Sequence, residues 1–376
     1  MVFLITWSAT TGSEPSLAML RERLAPYGLT TVLVAVSQVA GMVESWSNAV
    51  DFDADYKLIK EFLPTHRRAI DRFRTPNHVV FTRISLLYVS QQACDVCSDD
   101  TGSPVPLEAS DCERIFETCL MANDLITQKR VLPEDTTIEK AVKLLPLANY
   151  VPHGTYPRDL ARNLVILEQV APLLLHSKQY RDLTSDFTKA TGVSPQVFCQ
   201  LAFAASAKYL AAKQHPESSF VLRLSNLSHE SVPKEDIAAF FSKSSIRITD
   251  LLALARKQHA EPADFITFQR YPLIQCGPEA YVCPDPGFLL DKLGKSLYWT
   301  LHAAEPSEMR LGLLAYWSLL IERYVHWLCE NIYRGKGRVL QSPRFADGAE
   351  VADIIIMEGS CLILVEVKGF LSQQCN

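Results

Sequence analysis

Val351-Ala352-Asp353-Ile354-Ile355-Ile356-Met357-Glu358-Gly359-Ser360-Cys361-Leu362-Ile363-Leu364-Val365-Glu366-Val367-Lys368 decides how the end of this chain is read. Two β-branched, apolar runs flank Glu358-Gly359, and a two-residue hairpin loop is the natural reading of a dipeptide ending in glycine. In that register Met357 faces Ser360, Ile355 faces Leu362 and Asp353 faces Leu364. Side chains alternate across a strand, so Leu364, Glu366 and Lys368 share the face of Asp353. Glu366 then lies one diagonal step from Asp353, about 7–8 Å between backbones. The strands look buried, and charged groups on one face of them need partners or a cation. Mg²⁺ (or Mn²⁺) suits such a face, because it takes oxygen ligands, few carboxylates and several waters. Lys368 would orient or help deprotonate a water on that cation. A loop one residue longer or shorter would part the two carboxylates, so the reading depends on register. A plain ion pair between Lys368 and a carboxylate is the simpler account of Glu366-Val367-Lys368 taken alone. Asp55-Tyr56-Lys57 has the same acid-x-Lys spacing in a polar, acidic stretch and carries no catalytic reading.

Upstream, Glu305-Pro306-Ser307-Glu308 predicts the start of a long helix to about Tyr333, closed by Gly335. From Leu311 to Cys329 only Glu322 and Arg323 carry full charges, so this helix is expected to be buried on most sides. Ser318, Leu319, Val325 and His326 are the helix-face neighbours of Glu322. A carboxylate there needs a partner, either a metal site or a nearby arginine. His326, Trp317 and Trp327 are read as core residues. Only two strands are expected after this helix.

Residues 318–369 resemble the PD-(D/E)xK, or restriction-endonuclease-like, nuclease superfamily. The resemblance rests on Leu320-Ile321-Glu322-Arg323-Tyr324-Val325 in the helix, Gly348-Ala349-Glu350-Val351-Ala352-Asp353 entering the hairpin, and Leu364-Val365-Glu366-Val367-Lys368-Gly369 leaving it. It implies phosphodiester hydrolysis with Mg²⁺ or Mn²⁺. Asp353, Glu366 and the Val367 carbonyl would bind the metal. Glu322 would act on it through water, and Lys368 would position the attacking water. Ala352 stands where the family has its eponymous proline. The family core continues after Glu-x-Lys with a helix and a strand; here Gly369 to Asn376 follow, so the module reads as a natural truncation, a fragment, or one completed by another subunit.

The nucleic acid expected is DNA ahead of RNA. The net charge of −5 gives no general basic coat, so any contact must be local. Arg334, Lys336, Arg338 and Arg344 would form a phosphate-facing rim, with ordinary solvated surface as the competing reading. His66, Arg67, Arg68, Arg72, Arg74 and Arg83 form a second basic stretch, with Arg67 and Arg68 as candidate contacts.

The remainder supplies context. At 376 residues, 48% hydrophobic and 21% charged, the chain has room for two or three globular domains. Its fold class is read as α+β. Residues 1–300 form a mainly helical region, with a further division near 100–110 left open, and 301–376 form the nuclease-like module. Val2–Trp7 predicts a short buried strand, Ser13–Ser16 a helix start, Cys97–Ser110 a polar loop, and Phe220–Leu224 a strand. Helices are expected over Cys112–Ile126, Ile138–Leu147, Pro157–Leu175 and Pro195–Ala212, with another starting at Pro233. Phe265–Val282 predicts a hairpin or irregular β region, and Asp285-Pro286-Gly287 a helix to about Ala303. The start of the chain lacks the pattern of a secretory signal, and the ten cysteines lie among apolar residues. Reduced thiols in a cytoplasmic protein are therefore expected. The uncharged run between Arg23 and Glu44 is too polar for a membrane span. Cys94, Cys97, Cys112 and Cys119 have partial zinc spacing but read better as core thiols. No phosphate loop or nucleophile elbow is present. The expected activity is a metal-dependent nuclease, with genome defence or repair as a setting that suits the resemblance. The competing reading is an inactive nuclease-like scaffold acting through the helical region. A homo-oligomer or a partner subunit is left open.

Overall fold

The structure is a computed structural model that describes residues 3–43, 51–73, 78–98, 106–130, 156–214, 220–227, 232–257, 265–294 and 296–367. The fold is mixed α+β and mostly helical in its N-terminal part. No described helix is long and apolar enough to cross a membrane. The chain divides into two compact units: residues 1–157 with 191–292, and residues 158–190 with 293–376.

Unit 1 begins with a two-residue parallel pair, β1 (Phe3–Leu4) on β2 (His78–Val79). The expected strand to Trp7 stops early because Thr6 caps a helix, Trp7–Thr11, accepting from the Ala9 amide at 3.3 Å. Ser16 caps Leu17–Leu24 in the same way. The uncharged run after Arg23 becomes the helix Leu29–Met42, whose Val32, Leu33, Val36 and Val39 are buried in a core of stacked helices. Cys94, Cys97 and Cys119 are buried in that core, and burial pushes the Cys97 thiol up to about 12. Cys112 is half-buried against it.

Four strands complete unit 1: β3 (Val221–Arg223), β4 (Ser245–Arg247), β5 (Leu273–Gly277) and β6 (Ala280–Val282), in the order β3-β6-β5-β4. Helices Pro195–Gln214 and Lys234–Ser244 start where Ser194-Pro195 and Pro233 predict them. The helix expected from Gly287 to Ala303 is instead two, Gly287–Asp291 and Leu297–Ala304. The Ile138–Leu147 helix lies outside the described residues.

Unit 2 is built around the helix Arg310–Ile332. Buried Leu313, Tyr316, Trp317 and Leu320 repeat at three- and four-residue spacing, so one stripe packs inward. The expectation of burial on most sides is corrected: Leu311 and Leu314 are exposed, and Glu322 and Arg323 are half-buried. Three antiparallel strands follow in the order β7-β8-β9: β7 (Arg338–Gln341), β8 (Ile354–Glu358) and β9 (Cys361–Val365). β7 was not among the two strands expected. It follows closely on Gly337, where a Cβ would stand 2.6 Å from the Met357 carbonyl oxygen, so only glycine lets the two backbones approach there.

Candidate functional site

The hairpin forms, but one residue further along than the sequence suggests. Glu358 pairs with Cys361, Ile356 with Ile363 and Ile354 with Val365, so the loop is Gly359-Ser360. Gly359 takes φ +56 at the first loop position, where a type II′ turn takes glycine. A two-residue loop moved by one position preserves which residues share a face. Continued one step past the last pair, Ile354 with Val365, this register would set Asp353 opposite Glu366 rather than diagonal to it, on one face with Leu364 and Leu362.

The strands differ from expectation in their cover. Ile354, Ile355 and Ile356 of β8 are buried, but β9 is bare: Leu362 is 60% exposed and Leu364 55%. β9 is the edge of its sheet among the described residues. The Asp353 carboxylate is half-buried and accepts from the Val367 amide at 2.5 Å through Oδ2. Its carbonyl accepts from the Ser342 amide at 2.8 Å. Ser342 also turns its hydroxyl to Glu322 Oε1, 3.1 Å away on the helix. No other hydrogen bond reaches the Asp353 or Glu322 carboxylates among the described residues. Glu322, Ser342 and Asp353 thus form a continuous link from helix to hairpin.

Beside this link, Arg323 Nη1 donates to Gln341 Oε1 at 2.9 Å and contacts His326 Nδ1. Burial holds the His326 imidazole below its ordinary value, against the opposing pull of Glu330 3.6 Å away. His326 is therefore a buried structural partner of Arg323, one turn from Glu322.

The donor set is hard: carboxylates, and the backbone carbonyl at Val367. It suits Mg²⁺ or Mn²⁺, which take one or two carboxylates and keep water. Among the described residues no three His, Cys, Asp or Glu side chains converge into a ready metal cage. Glu366 is exposed at the hairpin's open end. Lys368 lies outside the described residues.

The predicted basic rim is exposed but spread along the sheet. Arg344 is on the Asp353 side, its guanidinium donating to the Gly348 carbonyl at 2.9 Å. Arg338 sits opposite Met357 at the other end of β7, with Arg334 and Lys336 in the turn before it. In unit 1, Arg67 and Arg68 are exposed, with Arg67 3.8 Å from Asp71. Arg83 leaves this basic stretch: it is 7% exposed, ion-paired with Asp285 and laid over the Phe288 ring. It is a structural group because an unpaired buried guanidinium would be costly. Arg74 lies outside the described residues. Asp55, of the discounted Asp55-Tyr56-Lys57, is also structural: buried, it accepts from the Val80 and Phe81 amides at 3.2 and 2.8 Å.

Ser342 is the residue that sequence reasoning missed. Its φ of +42 is a left-handed conformation that costs a non-glycine residue about 1–3 kcal/mol. The one available signal is Pro343, which steers its predecessor away from the right-handed helical region. Compared with known proteins, the chain matches no family model, no curated protein and no solved structure.

Proposed function

We propose that unit 2 is a metal-dependent nuclease module, hydrolysing phosphodiester bonds in DNA ahead of RNA. The observation that carries the reading is the pairing of Ile354 with Val365, a register that, continued one step, would set Asp353 opposite Glu366, while Ser342 ties Glu322 to the same strand end. The order helix-Glu, hairpin-Asp, Glu-x-Lys supports it independently. Asp353 and Glu366, with the Val367 carbonyl, would hold Mg²⁺ or Mn²⁺, and Glu322 would face the water shell. The cation supplies Lewis acidity and a water of lowered pKa. The chain's own residues orient the phosphate and that water: Asp353 through a carboxylate fixed by the Val367 amide, Glu322 through a carboxylate fixed by Ser342, and Lys368 by its position two residues after Glu366. Among the described residues, Arg344 is the basic residue best placed to meet a phosphate at this end.

The test is cleavage of supercoiled plasmid and of single-stranded RNA by the purified chain with Mg²⁺, Mn²⁺ or EDTA. Metal-dependent cleavage is expected, falling more than about 100-fold in Asp353→Ala and in Glu366→Gln, whose effects should exceed the loss typical of outer-shell partners. Equal cleavage by wild type and both variants would remove the assigned site. A second reading, a non-catalytic scaffold with a nuclease-like fold, draws on one observation: the acids do not form a ready three-ligand cage among the described residues. Inactivity under every metal condition, with unchanged folding, would favour it.

A further inference from the structure

Ser342 makes a combination of contacts that its backbone conformation does not require. Glycine adopts φ +42 without strain, yet the position holds a residue with a side chain. That side chain is the one hydrogen-bond partner of the Glu322 carboxylate among the described residues. One step past β7, the Ser342 amide continues the ladder by donating to the Asp353 carbonyl, 2.8 Å away. One position earlier, Gln341 binds Arg323, the residue after Glu322. Two consecutive residues at the end of β7 therefore clasp two consecutive residues of the helix. Only the second clasp involves a residue of the proposed site and also reaches the strand that carries Asp353.

We propose that Ser342 is a positioning residue, whose hydroxyl sets the Glu322 carboxylate relative to Asp353 so that both face the same cation and its waters. This inference rests on the nuclease reading above. The hydroxyl acts through Glu322 and touches neither substrate nor metal. Strain held at one residue that joins the Glu322 carboxylate to the Asp353 backbone is the pattern expected where a conformation is maintained for its chemistry.

The experiment compares Ser342→Gly, Ser342→Ala, Glu322→Gln and the double variant Ser342→Gly/Glu322→Gln. Thermal unfolding, plasmid cleavage and the Mg²⁺ concentration for half-maximal rate are measured for each. Ser342→Gly relieves the backbone, so it is expected to unfold at or above the wild-type temperature. It should nonetheless cleave about 10–100-fold more slowly and need more Mg²⁺. A merely structural serine would not separate these readouts. Ser342→Ala should lose similar activity. In the Glu322→Gln background, Ser342→Gly should cost little further activity, because the two residues act as one unit. Wild-type rate and Mg²⁺ dependence in Ser342→Gly, or losses that simply add in the double variant, would overturn the role of Ser342. If those results came with a wild type inactivated by Asp353→Ala, only this inference would fall. Absence of cleavage by wild type with every metal would overturn both.

Discussion

The β5–β6 hairpin of unit 1 and the β8–β9 hairpin of unit 2 both turn on two residues, Pro278-Glu279 in the first and Gly359-Ser360 in the second. Each loop has one residue at positive φ, +55 at Glu279 and +56 at Gly359. Their surroundings differ. β5 and β6 lie inside a four-stranded sheet, between β4 and β3, and Tyr281 and Val282 are buried. Among the described residues β9 lies at an edge, and none of its residues is fully buried. Ala280-Tyr281-Val282 is less apolar than Cys361-Leu362-Ile363-Leu364-Val365, yet it is the better covered. Local hydropathy selects strands; sheet order, which depends on distant segments, decides what covers them.

The largest expected effect tests how the first hairpin is anchored. Asp285 follows β6, pairs with Arg83 and accepts from the Gly287 amide at 2.9 Å. Asp285→Ala leaves a buried guanidinium without its carboxylate and is expected to cost about 3–5 kcal/mol in urea unfolding. A loss below about 1 kcal/mol would mean that the inner hairpin does not depend on this ion pair.

The second prediction sets the strands of the other hairpin against each other. Ile356→Ala, in buried β8, is expected to cost about 2–5 kcal/mol. Leu364→Ala, on the bare strand, should stay near ±0.5 kcal/mol, as for ordinary surface substitutions. Equal costs would show that β9 is covered in solution and would break the contrast.

The smallest effect concerns the thiols of the two hairpins and leaves stability unchanged. Cys276 and Cys283 are buried, and burial pushes the Cys283 thiol well up. Cys361 is exposed. Brief iodoacetamide labelling read by peptide mass spectrometry should modify Cys361 well before either of the others, since reaction needs an accessible thiolate. Labelling of Cys283 at a comparable rate would contradict its burial.

What could be read from the sequence was local. Ser16, Pro195 and Pro233 mark helix starts because capping chemistry acts within a turn. The pairing of the two apolar runs at 354–365 was also legible. The loop's position was not: Gly359 fits either place in a two-residue turn, and both choices keep the same residues together. β7 escaped because Arg338-Val339-Leu340-Gln341 is short and mixed, and its identity as a strand comes from β8. The bareness of β9 escaped for the reason that the two hairpins illustrate. At the candidate site, residue types reveal the acids, whereas the Ser342 link depends on a backbone angle and on residues 20 and 11 positions away in sequence, at Glu322 and Asp353.

The helix that carries Glu322 packs against a π-helical turn, Ile166–Val170. Asn163 donates to the carbonyls of Leu293 and Gly294 at 2.8 and 2.6 Å, and Arg181 reaches Glu305 at 2.5 Å. Unit 2 is therefore a discontinuous object in sequence. A piece excised from the C-terminal side alone would leave Ile166 and Val170 behind and uncover the side of the helix that packs on their turn. The smallest fragment worth purifying must splice residues 158–190 back onto the segment that begins at Leu293.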